Sequence, residues 1–161
     1  MKYELIQANK ENKNILYNMM QLYYHELSKY EDDSAIFELN DDGVYPIRYF
    51  DSYWTERNRF PYLLKVNDKN IGFALIRERE DDFIEIAEFF ILNKYKGKGA
   101  GRFMANAVFN LHKGKWEIRA LLKNIPAQNF WRKIIKEKIA NDYEEKYIRN
   151  NTRLAWYFSN K

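Results

Sequence analysis

At 161 residues, 46% of them apolar and 17% aromatic, the chain can bury a core as one domain over residues 1–161. It has no cysteine and two widely separated histidines, His25 and His112, which excludes a disulfide framework, a thiolate metal site and a cysteine nucleophile and leaves little basis for a bound metal. The net charge of +4 is mild and its Lys and Arg are spread along the chain, so no nucleic-acid face is expected; without an apolar leader or a run near the ~18 apolar residues of a membrane span, a cytoplasmic protein with no membrane contact is expected.

In chain order, residues 3–7 read as a short strand, and Asn9 as a helix N-cap. Ile15, Leu16, Met19, Met20, Tyr23 and Leu27 recur at helical spacing and predict a long amphipathic helix. Residues 31–42 are acidic and read as a loop or broken helix. Tyr45, Tyr49, Phe50, Tyr53 and Trp54 then form an aromatic cluster, predicted around a short second helix. Residues 61–66 and 71–76 read as a hairpin closed by the turn 67–70. Residues 83–92 are the most apolar run and read as a central, buried strand. A glycine turn, a helix over residues 103–111, a strand over 116–122 and a helix opening at Pro126 follow. The tail from Ile139 to Phe158 reads as two strands around Asn150 and Asn151. The pattern is a mixed α/β domain.

The turn is the most informative segment. Gly97, Gly99 and Gly101 alternate with Lys98, Ala100 and Arg102 between a buried strand and an amphipathic helix. Glycine allows positive φ and close approach of the backbone. The helix start offers unpaired N–H groups and the positive end of the dipole, an arrangement suited to phosphate. Lys96, Lys98 and Arg102 add positive charge. There is no GxxxxGK followed by Ser or Thr, and the third glycine position of a GxGxxG fingerprint is Arg102, so neither a P-loop nor a dinucleotide turn fits.

Lys96-Gly97-Lys98-Gly99-Ala100-Gly101 resembles the R/Q-x-x-G-x-G/A signature of the GNAT superfamily of acetyl-CoA-dependent N-acetyltransferases. Asn124, Ala127, Phe130 and Trp131 resemble that family's N-x-x-A-x-x-F-Y element, and the element order matches over essentially the whole chain. The resemblance implies a central, mixed, mostly antiparallel twisted sheet of about 6–7 strands flanked by about four helices. It implies acetyl-CoA as cosubstrate, bound by residues 96–102, by Phe89, Phe90 and Ile91 of the preceding strand, and by Asn124, Phe130 and Trp131. It implies direct attack by an unprotonated primary amine of a small molecule or peptide, with backbone N–H groups near Phe89 polarising the thioester carbonyl.

Two departures bear on the chemistry. Lys96 replaces Arg or Gln at the first signature position, and Trp131 stands where the family's usual Tyr is thought to protonate the thiolate. An indole N–H donates a hydrogen bond but does not give up its proton. A thiol pKa near ~8.5 lets the thiolate depart unaided, or another Tyr can serve. Glu88 is the candidate base: it alternates with Ile84, Ile86 and Phe90, on an expected apolar face where its pKa would rise. Its other reading is a structural carboxylate paired with Lys or Arg. The position matching a Glu base found in some family members is Arg119, and Glu117 is a weaker candidate. His25 reads as a surface or packing residue. The acidic stretch and the aromatic cluster read either as loop and lid, or as an acceptor border suited to an ammonium or polyamine; the cluster could also form a homodimer contact. A non-catalytic acyl-CoA-binding or interaction module is the alternative function.

Overall fold

The computed structural model describes residues 1–31 and 35–161. Among them, seven strands form one sheet in the order β1-β2-β3-β4-β5-β7-β6. They are β1 (Tyr3–Gln7), β2 (Arg59–Val66), β3 (Lys69–Glu78), β4 (Phe83–Ile91), β5 (Lys115–Leu121), β6 (Glu144–Ile148) and β7 (Arg153–Ser159). Every neighbouring pair is antiparallel except β4 and β5. That pair is joined by α2 (Ala100–Leu111), as a parallel crossover requires.

Three α-helices cover the sheet, with α1 (Lys13–Leu27) and α3 (Ile125–Ile139) completing the set among the described residues. The helix expected in the aromatic cluster is only a 3₁₀ turn, Asp51–Trp54. Its aromatic rings, not a helical repeat, fix this segment: Tyr45, Phe50 and Tyr53 are buried against α1. The Trp54 indole N–H donates to the carbonyl of Asn9 at 3.0 Å. The cluster is thus a lid on the sheet. Asn9 does cap, but it caps the 3₁₀ turn Lys10–Asn12 that leads into α1.

Each face of the sheet has its own core. On one face, Met104, Val108 and Phe109 of α2 and Ile134 and Ile135 of α3 pack on Ile84, Ile86, Trp116 and Ile118. On the other, Leu16, Met19 and Met20 of α1 pack on Leu63, Phe73, Leu75 and Phe90. The β2–β3 turn is two residues long, Asn67 and Asp68, both at positive φ, which matches the twist of a tight hairpin.

One glycine of β3 records how closely the central strands meet. A Cβ on Gly72 would stand 2.5 Å from the Phe90 carbonyl oxygen and 2.8 Å from Ile91 Cδ1. Because the first of these is backbone, Gly72→Ala should cost about 1–3 kcal/mol of stability by forcing β4 away. Urea unfolding would read this as a lower midpoint at an unchanged slope; an unchanged midpoint would show that the strands have slack.

Candidate functional site

The ladder between β4 and β5 is short. It pairs Phe83 with Lys115, Ile84 with Trp116, Glu85 with Glu117 and Ile86 with Ile118, and then stops. From residue 87 onward the β5-facing edge of β4 has no strand partner, and the two strands diverge. A register shift accompanies the parting: Leu75 faces Glu88, while Ile76 faces Ile86, so Ala87 is the extra residue of a β-bulge. A bulge bends its strand and increases local twist.

The bulge also changes which way side chains point, and it corrects the expected setting of Glu88. Ile84 and Ile86 belong to the α2–α3 core, whereas Ala87 and Phe90 pack on the α1 side. Strict alternation fails at Ala87, so Glu88 does not share a face with Ile84 and Ile86. It faces α1, where the Tyr23 hydroxyl donates towards its carboxyl. Phe89, on the other side of the strand, stacks edge-on against Trp131 with ring centres 4.8 Å apart and lies 5.7 Å from Phe130.

The parting opens a cleft of about 240 Å³. Tyr23, Tyr24, Glu88 and Phe89 form one wall, and Arg119, Asn124 and Trp131 contribute to the other. Asn124 caps α3, its side-chain oxygen accepting from the Ala127 N–H at 3.2 Å. Trp131 is buried at 4% exposure while still lining the cleft, so its packing and pocket roles coincide.

The glycine turn lies beyond the end of β4. Gly97 and Gly99 have φ of 73° and 85°, and a Cβ on either would meet nothing within 4 Å. These glycines are therefore needed for backbone conformation rather than for space. Gly101 is different: a Cβ there would press on Phe130 at 3.1 Å, so this glycine lets α2 sit close to α3. Gly99 is the N-cap of α2 and offers no side-chain acceptor, which leaves the first amides of the helix, from Ala100 onward, free for an anion. The Tyr3 hydroxyl donates to the Lys98 carbonyl at 2.7 Å and anchors the turn to β1. Two of the three expected cations are already engaged: Lys96 pairs with Glu26 at 3.1 Å and Arg102 with Glu137 at 2.8 Å. Both pairs are solvent-exposed and weak, so they leave these cations able to exchange partners.

On the far side of Glu88 a second, wider cleft of about 520 Å³ shares Ala87, Glu88, Arg119 and Arg149 with the first. Its floor is a charged ladder across β3, β4 and β5. The Arg119 guanidinium donates to Glu85 at 3.0 Å, and Arg79 pairs with Glu117 at 3.0 Å and with Asp81. Glu117 is therefore occupied by Arg79 and, at 3.5 Å, by Arg119, and is not a free base. The ladder was written in the sequence as charges two apart, Arg77 with Arg79 and Glu117 with Arg119, which alternation places on one face. Tyr23 was hidden among the apolar helix positions.

Tyr49 and Tyr53 of the aromatic cluster line the wider cleft, and arginines engage part of the expected ammonium border. Glu31 is held by Arg153 at 3.1 Å. The rings of Tyr49 and Tyr53 are each covered by the Arg59 guanidinium at 5.2 Å. Asp32 and Asp33, part of the acidic stretch, lie outside the described residues. His25 is exposed and hydrogen-bonds with the Tyr45 hydroxyl at 3.3 Å; His112 is buried between Tyr62 and Glu78. Among the described residues there is no metal-holding group of three His, Cys, Asp or Glu, and no helix long and apolar enough to cross a membrane.

Burial raises the Glu88 carboxyl from an ordinary 4.5 to about 7, against the opposing pull of the Tyr23 hydrogen bond and the Arg119 charge. Between these values the folded protein holds more protons than the unfolded chain. Glu88 thus favours folding fully below about pH 4.5, and that contribution is lost as pH rises through about 7. Glu88→Gln should be more stable relative to wild type at pH 8 than at pH 5 in thermal unfolding. An identical pH slope in both proteins would contradict the raised carboxyl.

The fold and sequence have known counterparts. An acetyltransferase from Thermus thermophilus superposes with a TM-score of 0.71 at 13% identity, covering 99% of this chain and 97% of that one. A GNAT-family acetyltransferase from Staphylococcus aureus gives 0.66 at 13% identity over 99% and 100%. A Bacillus anthracis protein assigned as a streptothricin acetyltransferase, solved in complex with acetyl coenzyme A, gives 0.61 at 12% identity over 100% of both chains. No curated protein sequence matches. The pattern of the acetyltransferase (GNAT) family matches residues 17–135, about three quarters of the chain, and the protein belongs to that family.

Proposed function

We propose that the protein is an acetyl-CoA-dependent N-acetyltransferase that acts on a primary amine by direct attack. The observation that carries this reading is the succession of a strand edge without a strand partner and an uncapped helix start. The parted β4 beyond residue 86 leads, through the 3₁₀ turn Asn93–Tyr95, into a glycine turn whose helix has no side-chain cap. An extended pantetheine arm carrying amide groups suits the first edge, and a pyrophosphate suits the second.

The roles follow from position. The amides from Gly97 to Arg102 would hold the pyrophosphate, with Lys96, Lys98 and Arg102 adding charge. Backbone groups of Phe89, Phe90 and Ile91 would hold the arm and polarise the thioester carbonyl. Asn124, Phe130 and Trp131 would form the opposite wall. In the reaction the amine nitrogen forms a bond to the acetyl carbon and the carbon–sulfur bond breaks. One proton leaves the nitrogen and one ends on the sulfur. A carboxyl poised near 7, as Glu88 is, suits acceptance of that proton at neutral pH. Trp131 supplies packing and no proton. Tyr23 and Tyr24 are the hydroxyls facing the same cleft, and burial holds both well above the ordinary tyrosine range, so they stay protonated.

Calorimetric titration with acetyl-CoA should show one site, and Gly99→Glu should weaken it at least roughly 100-fold by placing a carboxylate where the anion sits. Unchanged affinity would refute the assigned turn. Thiol release with a panel of amines separates an enzyme from a binding module. Glu88→Gln should lower kcat/KM about 100-fold and remove the acid limb of its pH profile near 7. A profile that keeps this limb would assign Glu88 a structural role.

A further inference from the structure

The wider cleft beside Glu88 has an unusual charge lining. Six arginines reach it: Arg48 from the loop before the 3₁₀ turn, Arg59 from β2, Arg77 from β3, Arg79 from the loop after it, Arg119 from β5 and Arg149 from the β6–β7 turn. Only three acidic residues, Glu85, Glu88 and Glu117, line the same space, and no lysine or aspartate does. We propose that the acceptor amine carries its own anionic group, a carboxylate or a phosphate, which these arginines hold while the nitrogen faces Glu88. This rests on the acetyl-transfer reading and names the substrate class for the same site.

The partner assignments show which arginines are available. Glu85 and Glu117 are shared among Arg77, Arg79 and Arg119, and outside the cleft Asp81 engages Arg79 while Glu56 engages Arg59 at 2.9 Å. Among the described residues Arg48 and Arg149 have no salt bridge. Arg149 has φ at 51°, a backbone conformation side chains rarely adopt; burial and then the Arg119 and Arg153 charges act against its own, partly offset by Glu117 and Glu85. A cluster of guanidiniums left in excess in one concave site is costly without an anion to share. The planar fork of arginine matches a carboxylate or phosphate bidentately, which a lysine does not.

The same geometry argues against a cationic or polycationic acceptor. Arg59 already covers the faces of Tyr49 and Tyr53, the rings an ammonium would use. An anionic amine would make the reverse match, its charged end between Arg48 and Arg149 and its nitrogen near the Glu88 carboxyl. The cleft volume of about 520 Å³ falls in the range of small-molecule sites.

The test compares amines matched in length and differing in charge. One set is 6-aminohexanoate, hexylamine and 1,6-diaminohexane; a second is O-phosphoethanolamine against ethanolamine; a third is glycine against glycinamide. Thiol release should give the anionic member of at least one set a kcat/KM at least tenfold above its counterparts, and the set that responds identifies carboxylate or phosphate. Arg48 is exposed and has no salt bridge among the described residues, so its variants should fold. Arg48→Ala should raise KM for the preferred amine about tenfold without changing KM for acetyl-CoA, and Arg48→Lys should recover part of the loss. Equal or better turnover of the neutral or dicationic members would overturn the proposal, as would an Arg48→Ala effect of the same size on every amine. If no amine releases thiol, the acetyl-transfer reading fails, and calorimetry on CoA-saturated protein decides this one separately. Arg48-dependent binding of an anionic amine would uphold the anion cleft, and no binding of any anionic amine would overturn it.

Discussion

The parting of β4 from β5 is the constraint on which the rest of the site depends. Parallel pairing between them ends at Ile86 and Ile118, and the bulge at Ala87 bends β4 at that point. Phe89 then packs against Phe130 and Trp131 of α3 and holds the opening apart with apolar surface. An unpaired backbone edge inside a protein is expensive unless a ligand or water satisfies it. Here the vacant edge continues into a turn with free helix amides, so one extended ligand could satisfy both. The bulge also turns Glu88 towards α1 and out of the core that holds Ile84 and Ile86. That placement puts a carboxyl at the boundary of both clefts.

How much of this was legible in the sequence differs from element to element. The strand, glycine turn and helix were visible because their signals are local: apolar continuity, residues that permit positive φ, and helical spacing. The hairpin at Asn67 and Asp68 was visible for the same reason. The bulge was not, because an inserted residue leaves no mark in a run where both faces of the strand carry mostly apolar side chains. The assignment of Glu88 to the face of Ile84 and Ile86 failed for that reason, although the raised carboxyl that it implied arises from burial on the opposite face. The short helix expected in the aromatic cluster is present as the 3₁₀ turn Asp51–Trp54, kept to one turn because aromatic packing, not periodicity, shapes that segment.

The charge pattern was the least legible feature. Arg48, Arg59, Arg77, Arg79, Arg119 and Arg149 are spread over a hundred residues and form no basic run. The sheet brings them to one concavity because β2, β3, β5 and the β6–β7 turn converge there. The acidic stretch, by contrast, was conspicuous in sequence, yet its Glu31 is held by Arg153. Composition gave the sum of charges but not their neighbours, and neighbours determine which kind of acceptor a cleft can hold.

Amide hydrogen exchange with and without coenzyme A tests the central claim most directly. If a ligand strand completes the parted sheet and caps α2, two segments gain protection on binding: the amides of residues 87–91 that face β5, and those of residues 97–102. Protection should not change at the β1 or β6 edges. Saturating binding that leaves residues 87–91 exchanging at their free rate would contradict the account, because the opening between β4 and β5 would then not be where the ligand lies.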